Sequence, residues 1–219
     1  MKLCVDFKLS LTKLKLMNKS RISYPDSFLE PDNMIKLYAM GAFPMAESRY
    51  SSVVNWYLPE IRTVIPLDKF HIPRSLKKIM SACDYEVKFD SCVMEVISKC
   101  AEREDTWISD KLMKAYLKLY QKGNIHTVEI FSQGELVGGL YGITYHGAFM
   151  GESMFSTVSQ ASKIALVHLT KHLIERNFLL LDVQYQTDHL KMFGAEQMSL
   201  DDFNQLLRES YKRNVSFTD

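Results

Sequence analysis

The chain contains no C-x-x-C pair. Cys4, Cys83, Cys92 and Cys100 stand apart with no histidine at zinc-finger spacing, which disfavours a structural zinc site and fits reduced thiols in a cytoplasmic protein. Long apolar runs are also missing, and a membrane-spanning helix needs about 20 such residues in succession. An excess of charge of either sign is missing too, at a formal net +1, so a nucleic-acid partner has to be met by a local basic surface and not by the field of the whole molecule. At the start of the chain Asp6, Lys8, Lys13 and Lys15 interrupt what would otherwise be a leader-like apolar stretch, so no export signal is expected. No repeat or low-complexity tract breaks the pattern. What is present is 219 residues at 47% apolar content, enough to bury a substantial core.

Taken in order, Pro31-Asp32 opens a helix that stops at Gly41, and Gly41 to Glu47 reads as a loop. Trp56 to Pro59 and Arg62 to Pro66 form a proline-punctuated region with short strands at most. His71 to Met80 is a basic helix carrying Arg74, Lys77 and Lys78, and Tyr85 to Phe89 alternates as a strand. A helix over Cys92 to Arg103 buries Val93, Val96, Ile97 and Cys100. The next starts at a Ser109 cap and ends at Gly123, with Leu112, Met113, Tyr116, Leu119 and Tyr120 inward and Lys111, Lys114, Lys118 and Lys122 outward. Three antiparallel strands follow from Ile125, then a helix from about Gln160 to Arg176 with small Ala161 and Ala165 on its inner stripe. Leu179 to Tyr185 is the most apolar strand. Helices before a meander, then strand, helix and strand, give an α+β fold with a mixed, largely antiparallel sheet flanked by helices.

Gly134 to Ser156 is the unusual stretch. Alternation puts Val137, Gly139, Tyr141, Ile143 and Tyr145 on one face and Leu136, Gly138, Leu140, Gly142 and Thr144 on the other, around a His146-Gly147 turn. On the return arm the same alternation groups Met150, Glu152, Met154 and Ser156, so a carboxylate sits between two flexible apolar side chains. Asp182, in the most apolar strand, shares a face with Gln184. Two readings of Asp182 stay open: a carboxylate satisfied by backbone amides or by an arginine near the strand end, or a poised base. The layout is compatible with acyltransferases of the GNAT type. However, the glycine-rich turn that cradles a coenzyme A pyrophosphate is missing before the long helix, where Ser156 to Lys163 stands instead.

From Met40 to about Leu207 the chain resembles the bacterial leucyl/phenylalanyl-tRNA–protein transferases. The motifs are Gly41-Ala-Phe-Pro-Met-Ala-Glu47, Phe70-His-Ile-Pro-Arg-Ser-Leu76, Thr106-Trp-Ile108, Glu135-Leu-Val-Gly-Gly-Leu-Tyr-Gly142, Gly151-Glu-Ser-Met-Phe-Ser156, Ala161-Ser-Lys163, Leu181-Asp-Val-Gln184, and Asp188-His-Leu190 with Gly194-Ala195. The resemblance implies an enzyme that moves leucine or phenylalanine, sometimes methionine, from aminoacyl-tRNA to the N-terminal Arg or Lys of a protein, marking it for degradation. It further implies a small N-terminal domain, 1–66, and a GNAT-like catalytic domain, 67–219, with no cofactor and no metal.

The same resemblance assigns roles. Asp182 matches the proposed base, Gln184 its partner, and Glu152 the carboxylate that orients the aminoacyl ammonium group. A side-chain cavity is implied from Leu140, Phe149, Met154, Ser156, Leu166, Leu169, Leu173 and Leu181. Trp107 matches a tryptophan near the terminal adenosine, and Met45 takes the place where many members carry a second Trp; Tyr57 and Leu58 likewise replace the more usual Trp and Ser. The basic residues Arg74, Lys77, Lys78, Lys114 and Lys118 are candidates to follow the tRNA acceptor stem through its phosphates. The expected partners are Leu-tRNA, Phe-tRNA and proteins with N-terminal Arg or Lys, with no membrane, for a cytoplasmic monomer. A CoA-dependent N-acetyltransferase and a non-catalytic tRNA-binding protein are the alternatives.

Overall fold

In a computed structural model the described residues are 21–218; Cys4, the leader-like opening and the rest of residues 1–20 lie outside them. Two sheets are formed. The smaller has three antiparallel strands in the order β1 (Arg21–Ser23), β3 (Val54–Tyr57), β2 (Phe43–Ala46). The stretch expected to be a loop is thus partly strand: Phe43 to Ala46 are all buried and pair with Tyr57 to Val54. Pro44 fits because a proline in an edge strand gives up only a donor that a ladder interior would need.

The larger sheet has seven strands in the order β10-β4-β9-β8-β7-β6-β5. These are β4 (Ile61–Ile65), β5 (Glu86–Phe89), β6 (Ile125–Ser132), β7 (Glu135–Tyr145), β8 (Ala148–Ser156), β9 (Leu180–Gln184) and β10 (Glu196–Ser199). Every pairing is antiparallel except β8 with β9, whose crossover is the long helix. The helices are α1 (Pro31–Ala39), α2 (Arg74–Ala82), α3 (Val93–Ala101), α4 (Asp110–Gln121), α5 (Ala161–Glu175), α6 (Asp188–Lys191) and α7 (Leu200–Ser210). Ile61 to Ile65 already belongs to the large sheet, although it precedes residue 66; the small sheet ends at Tyr57.

Each face of the large sheet has its own core. On one, α5 covers Leu140, Phe149, Met154 and Leu181. Close approach is possible because β7 offers Gly138, where an added Cβ would come within 2.4 Å of the Ala161 Cβ. On the other face α1, α3, α4, α7 and the small sheet share one cluster with Tyr141, Ile143, Met150 and Phe155. The Ser109 hydroxyl caps α4 by accepting from Leu112 N at 3.2 Å. Its expected inner stripe holds for Leu112, Tyr116 and Leu119, but Tyr120 is exposed.

Strict alternation fails at two bulges. Between the pairs Ile130–Gly138 and Phe131–Leu136 an extra residue, Val137, is inserted in β7. It joins the α5 core instead of sharing a face with Tyr141. Between the pairs Tyr141–Ser153 and Gly142–Gly151 the extra residue is Glu152. A one-residue insertion flips everything beyond it. Met150 and Met154 therefore lie in different cores, and the expected grouping of Met150, Glu152 and Met154 on one face does not occur.

Candidate active site

The parallel contact between β8 and β9 is short. It runs through Ala148–Leu180, Phe149–Leu181 and Met150–Asp182 and then stops, though β8 continues to Ser156 and β9 to Gln184. A bulge lies on each strand just past this point. Glu152 is the extra residue of β8, and Val183 is the extra residue between the β4–β9 pairs Val64–Asp182 and Thr63–Gln184. Bulges bend a strand and re-aim its side chains, so the two strands part where their sequences become polar.

On the β9 side, Asp182 is wholly buried and held by Arg62 of β4, also wholly buried. Arg62 Nε donates to Asp182 Oδ1 at 2.8 Å and Nη2 to Oδ2 at 2.5 Å, while Nη1 donates to the Gly41 carbonyl at 2.6 Å. The guanidinium lies between two rings, 4.8 Å from the Phe43 centroid and 4.6 Å from that of Phe203. Oδ1 also accepts the Gln184 backbone N–H at 2.9 Å. Gln184 has a left-handed φ of 57°, and the turn it makes is closed by Tyr185 N–H to the Val183 carbonyl at 2.7 Å. Left-handed backbone outside glycine costs energy and persists where the surroundings impose it. Both side-chain amide atoms of Gln184, and the Thr63 hydroxyl opposite it, are buried without a hydrogen-bond partner among the described residues.

In this geometry Asp182 is already paired. Both of its oxygens are engaged by a bidentate guanidinium. Removing either partner of such a buried pair leaves the other as an unpaired charge, at a cost of roughly 3–5 kcal/mol. The carboxylate satisfied by an arginine and a backbone amide is the arrangement found.

On the β8 side, Glu152 is fully buried and accepts from the Tyr116 hydroxyl at 2.7 Å. The hydroxyls of Tyr116 and Tyr38 are pushed well above the ordinary tyrosine value, first by burial and then by the negative Glu152. Both stay protonated, Tyr116 as the donor to Glu152. Burial likewise raises Tyr185, beside the Asp182 strand end, to about 12.

Seven of the expected cavity residues do come together: Leu140, Phe149, Met154, Leu166, Leu169, Leu173 and Leu181 form one fully buried layer under α5. Ser156 has a different occupation, its hydroxyl accepting from Ser162 N at 2.8 Å in the first turn of α5. Trp107 and Met45 belong to the opposite core at 1% and 0% exposure. An adenine needs an open ring face to stack on, and Trp107 offers none here. Leu181 also lines a cavity of about 620 Å³ with Ile65, Phe178 and Met198, at the other end of β9 from Gln184.

Of the basic candidates, Arg74, Lys77 and Lys78 are exposed on α2 and make no ion pair among the described residues. The α4 strip is mostly spoken for. Lys118 pairs with Glu30 at 2.6 Å, Lys111 with Asp26 at 2.5 Å, and Lys122 with Asp32. Lys114 is exposed and has no such partner among the described residues. Arg62 was missed by sequence reasoning, since it sits 120 residues from its partner; its only local signal is a lone charge within Ile61-Arg-Thr-Val-Ile65.

Residues 64–208 match the model of the family described as leucyl/phenylalanyl-tRNA protein transferase. A curated leucyl/phenylalanyl-tRNA–protein transferase from Salinibacter ruber is 44% identical over 183 residues, covering 84% of this chain and 80% of that one. A solved structure described as that of L-PGS from Bacillus licheniformis aligns with a TM-score of 0.41 at 12% identity, over 85% of this chain and 63% of that one. The chain is thus an aminoacyltransferase that works between aminoacyl-tRNA and protein. It belongs to the leucyl/phenylalanyl-tRNA–protein transferase family.

Proposed function

We propose that the enzyme moves leucine or phenylalanine, with methionine as a further donor, from its tRNA to a protein whose first residue is Arg or Lys, creating a degradation signal. The donor is an ester and already activated. The acceptor α-amine attacks the ester carbonyl carbon, a C–N bond forms, the C–O bond to the tRNA ribose breaks, and the proton lost by the amine ends on that ribose oxygen. Positioning and stabilisation of the developing oxyanion are what the protein has to supply.

The observation that carries this reading is the parting of β8 from β9 at Met150–Asp182, with buried Glu152 beyond it on one strand and buried, unpartnered Gln184 on the other. Glu152 suits the donor's ammonium group by a charge-assisted hydrogen bond, with Tyr116 fixing the carboxylate. Gln184 brings an amide N–H₂ for an oxyanion and a carbonyl for the attacking amine. Asp182 acts on Gln184 and does not itself take the proton. The layer under α5 receives the donor side chain by opening around Met154, the most adaptable of its members. β-Branched donors are rejected by shape, since one methyl group is worth only about 1–3 kcal/mol.

Arg74, Lys77 and Lys78 follow the acceptor stem by phosphate contacts, joined by Lys114, while Lys118 serves mainly to tie α4 to Glu30. The small sheet, ending at Tyr57, is the core of an N-terminal domain, and the larger sheet with its parted parallel pair is GNAT-like. The enzyme works as a cytoplasmic monomer; among the described residues no helix is long and apolar enough to cross a membrane.

The test is transfer of labelled leucine from Leu-tRNA to peptides beginning with Arg, Lys or Glu. Label on the Arg and Lys peptides alone is expected. Label on the Glu peptide alone would replace the acceptor class, and acetyl transfer from acetyl-CoA without tRNA would overturn the reading.

A further inference from the structure

We infer that Arg62 is a positioning residue for the transfer step, acting through Asp182 to hold Gln184 in its working conformation; this rests on the reading of Gln184 given above. The strained part of the site is Gln184, with its left-handed backbone and a carboxamide left unpartnered in the interior. Its backbone N–H is fastened to Asp182 Oδ1, and that carboxylate has its orientation set by the guanidinium fork. The fork is in turn fixed by the Gly41 carbonyl and by the rings of Phe43 and Phe203. One side chain therefore joins the turn after α1, strand β2, helix α7 and both strands β4 and β9 to the backbone of a single glutamine. It lies outside the span 64–208 that matches the family model.

Stability alone does not account for this arrangement. A buried ion pair replaced as a whole by apolar groups of similar volume is often neutral or better for folding, because desolvation offsets the attraction. What the pair provides that apolar side chains do not is direction: two parallel N–H···O bonds fix the plane of the carboxylate and hence the acceptor that Gln184 N–H meets. A misplacement of about 1 Å at a reacting group costs on the order of 10²-fold in rate, so loss of that direction is expected in turnover and not in binding.

The experiment uses the full chain with the paired substitution Arg62→Met and Asp182→Leu, alongside Arg62→Lys, Gln184→Ala, and Arg62→Lys combined with Gln184→Ala. Single-turnover transfer of leucine to an Arg peptide is read at saturating Leu-tRNA, together with half-saturation by Leu-tRNA and the melting temperature. The expected result for the apolar pair is a retained melting transition, half-saturation within about threefold, and a rate lower by on the order of 10²-fold. For Arg62→Lys a loss of about 10-fold or more is expected in the wild-type background and little further loss in the Gln184→Ala background, the non-additivity of residues acting as one unit. Should Arg62→Lys fail to fold, Arg62→Gln, which keeps a donor to the carboxylate but not the fork, takes its place in both backgrounds. Full activity in the folded apolar pair overturns the inference, as does an Arg62→Lys effect that multiplies with Gln184→Ala; in the latter case the role of Gln184 stands. Normal transfer by Gln184→Ala removes that role as well.

Discussion

The two faces of the large sheet are built from opposite materials. Under α5 the layer from Leu140 to Leu181 is apolar throughout and sealed. On the other face the core includes a fully buried ion pair, Arg62 with Asp182, and a buried carboxylate, Glu152, bound to a tyrosine hydroxyl. An apolar layer reads size and shape, whereas a polar cluster in a low-dielectric interior has large electrostatic effects and must be fully arranged to be tolerated. On the proposed reading, selection of the donor side chain and handling of the ester fall to different faces, meeting where β8 and β9 part.

If that division is right, substitutions on the two faces fail in different ways. Of the substitutions that set the two faces against each other, Glu152→Gln has the largest expected effect on kcat/KM after Gln184→Ala, since it removes the charge but keeps the shape. A hydrogen bond to a charged group is worth about 1.5–3 kcal/mol, so kcat/KM for Leu-tRNA should fall about 10- to 100-fold. An N-acetylated aminoacyl donor should no longer be discriminated against. Equal kcat/KM for wild type and variant would detach Glu152 from the donor amine. Met154→Ala, on the apolar face, should cost about 2–5 kcal/mol of stability by denaturant unfolding and flatten the preference among Leu, Phe and Met without comparable loss of turnover. Unaltered donor preference in the folded variant would mean the side chain is read elsewhere.

The smallest effect separates the basic surfaces. Changing Arg74, Lys77 and Lys78 to Ala should reduce the slope of log affinity against log salt for tRNA by about 0.7–0.9 per phosphate contact removed, while Lys118→Ala leaves it unchanged. A larger slope change from Lys118 would reverse the assignment of the two surfaces.

Much of this division was legible in the sequence, and what escaped did so for definite reasons. Glu152, Asp182 and Gln184 stood out as polar residues in apolar strands. The α5 stripe and the Ser109 cap followed from spacing. The faces did not, because alternation assumes an unbroken ladder and an inserted residue leaves no mark in composition. Val137 and Glu152 each shift the count by one, which moved Val137 to the α5 core and separated Met154 from Glu152. Arg62 escaped because its partner comes from a strand 120 residues away. Strand pairing across such a distance is decided by the sheet as a whole. The lysines of α4 looked like a surface for an external anion; three of the four instead meet Asp26, Glu30 and Asp32 of this same chain.

The central claim is that the unpartnered Gln184 carboxamide meets the reacting ester, and its most direct test is the single-turnover rate of Gln184→Ala with saturating Leu-tRNA and an Arg peptide. Loss of an aimed donor of this kind should lower the rate by about 10²- to 10³-fold with tRNA affinity unchanged. A rate within about twofold of wild type would contradict the account, because truncating a group that stabilises the transition state cannot leave the barrier where it was.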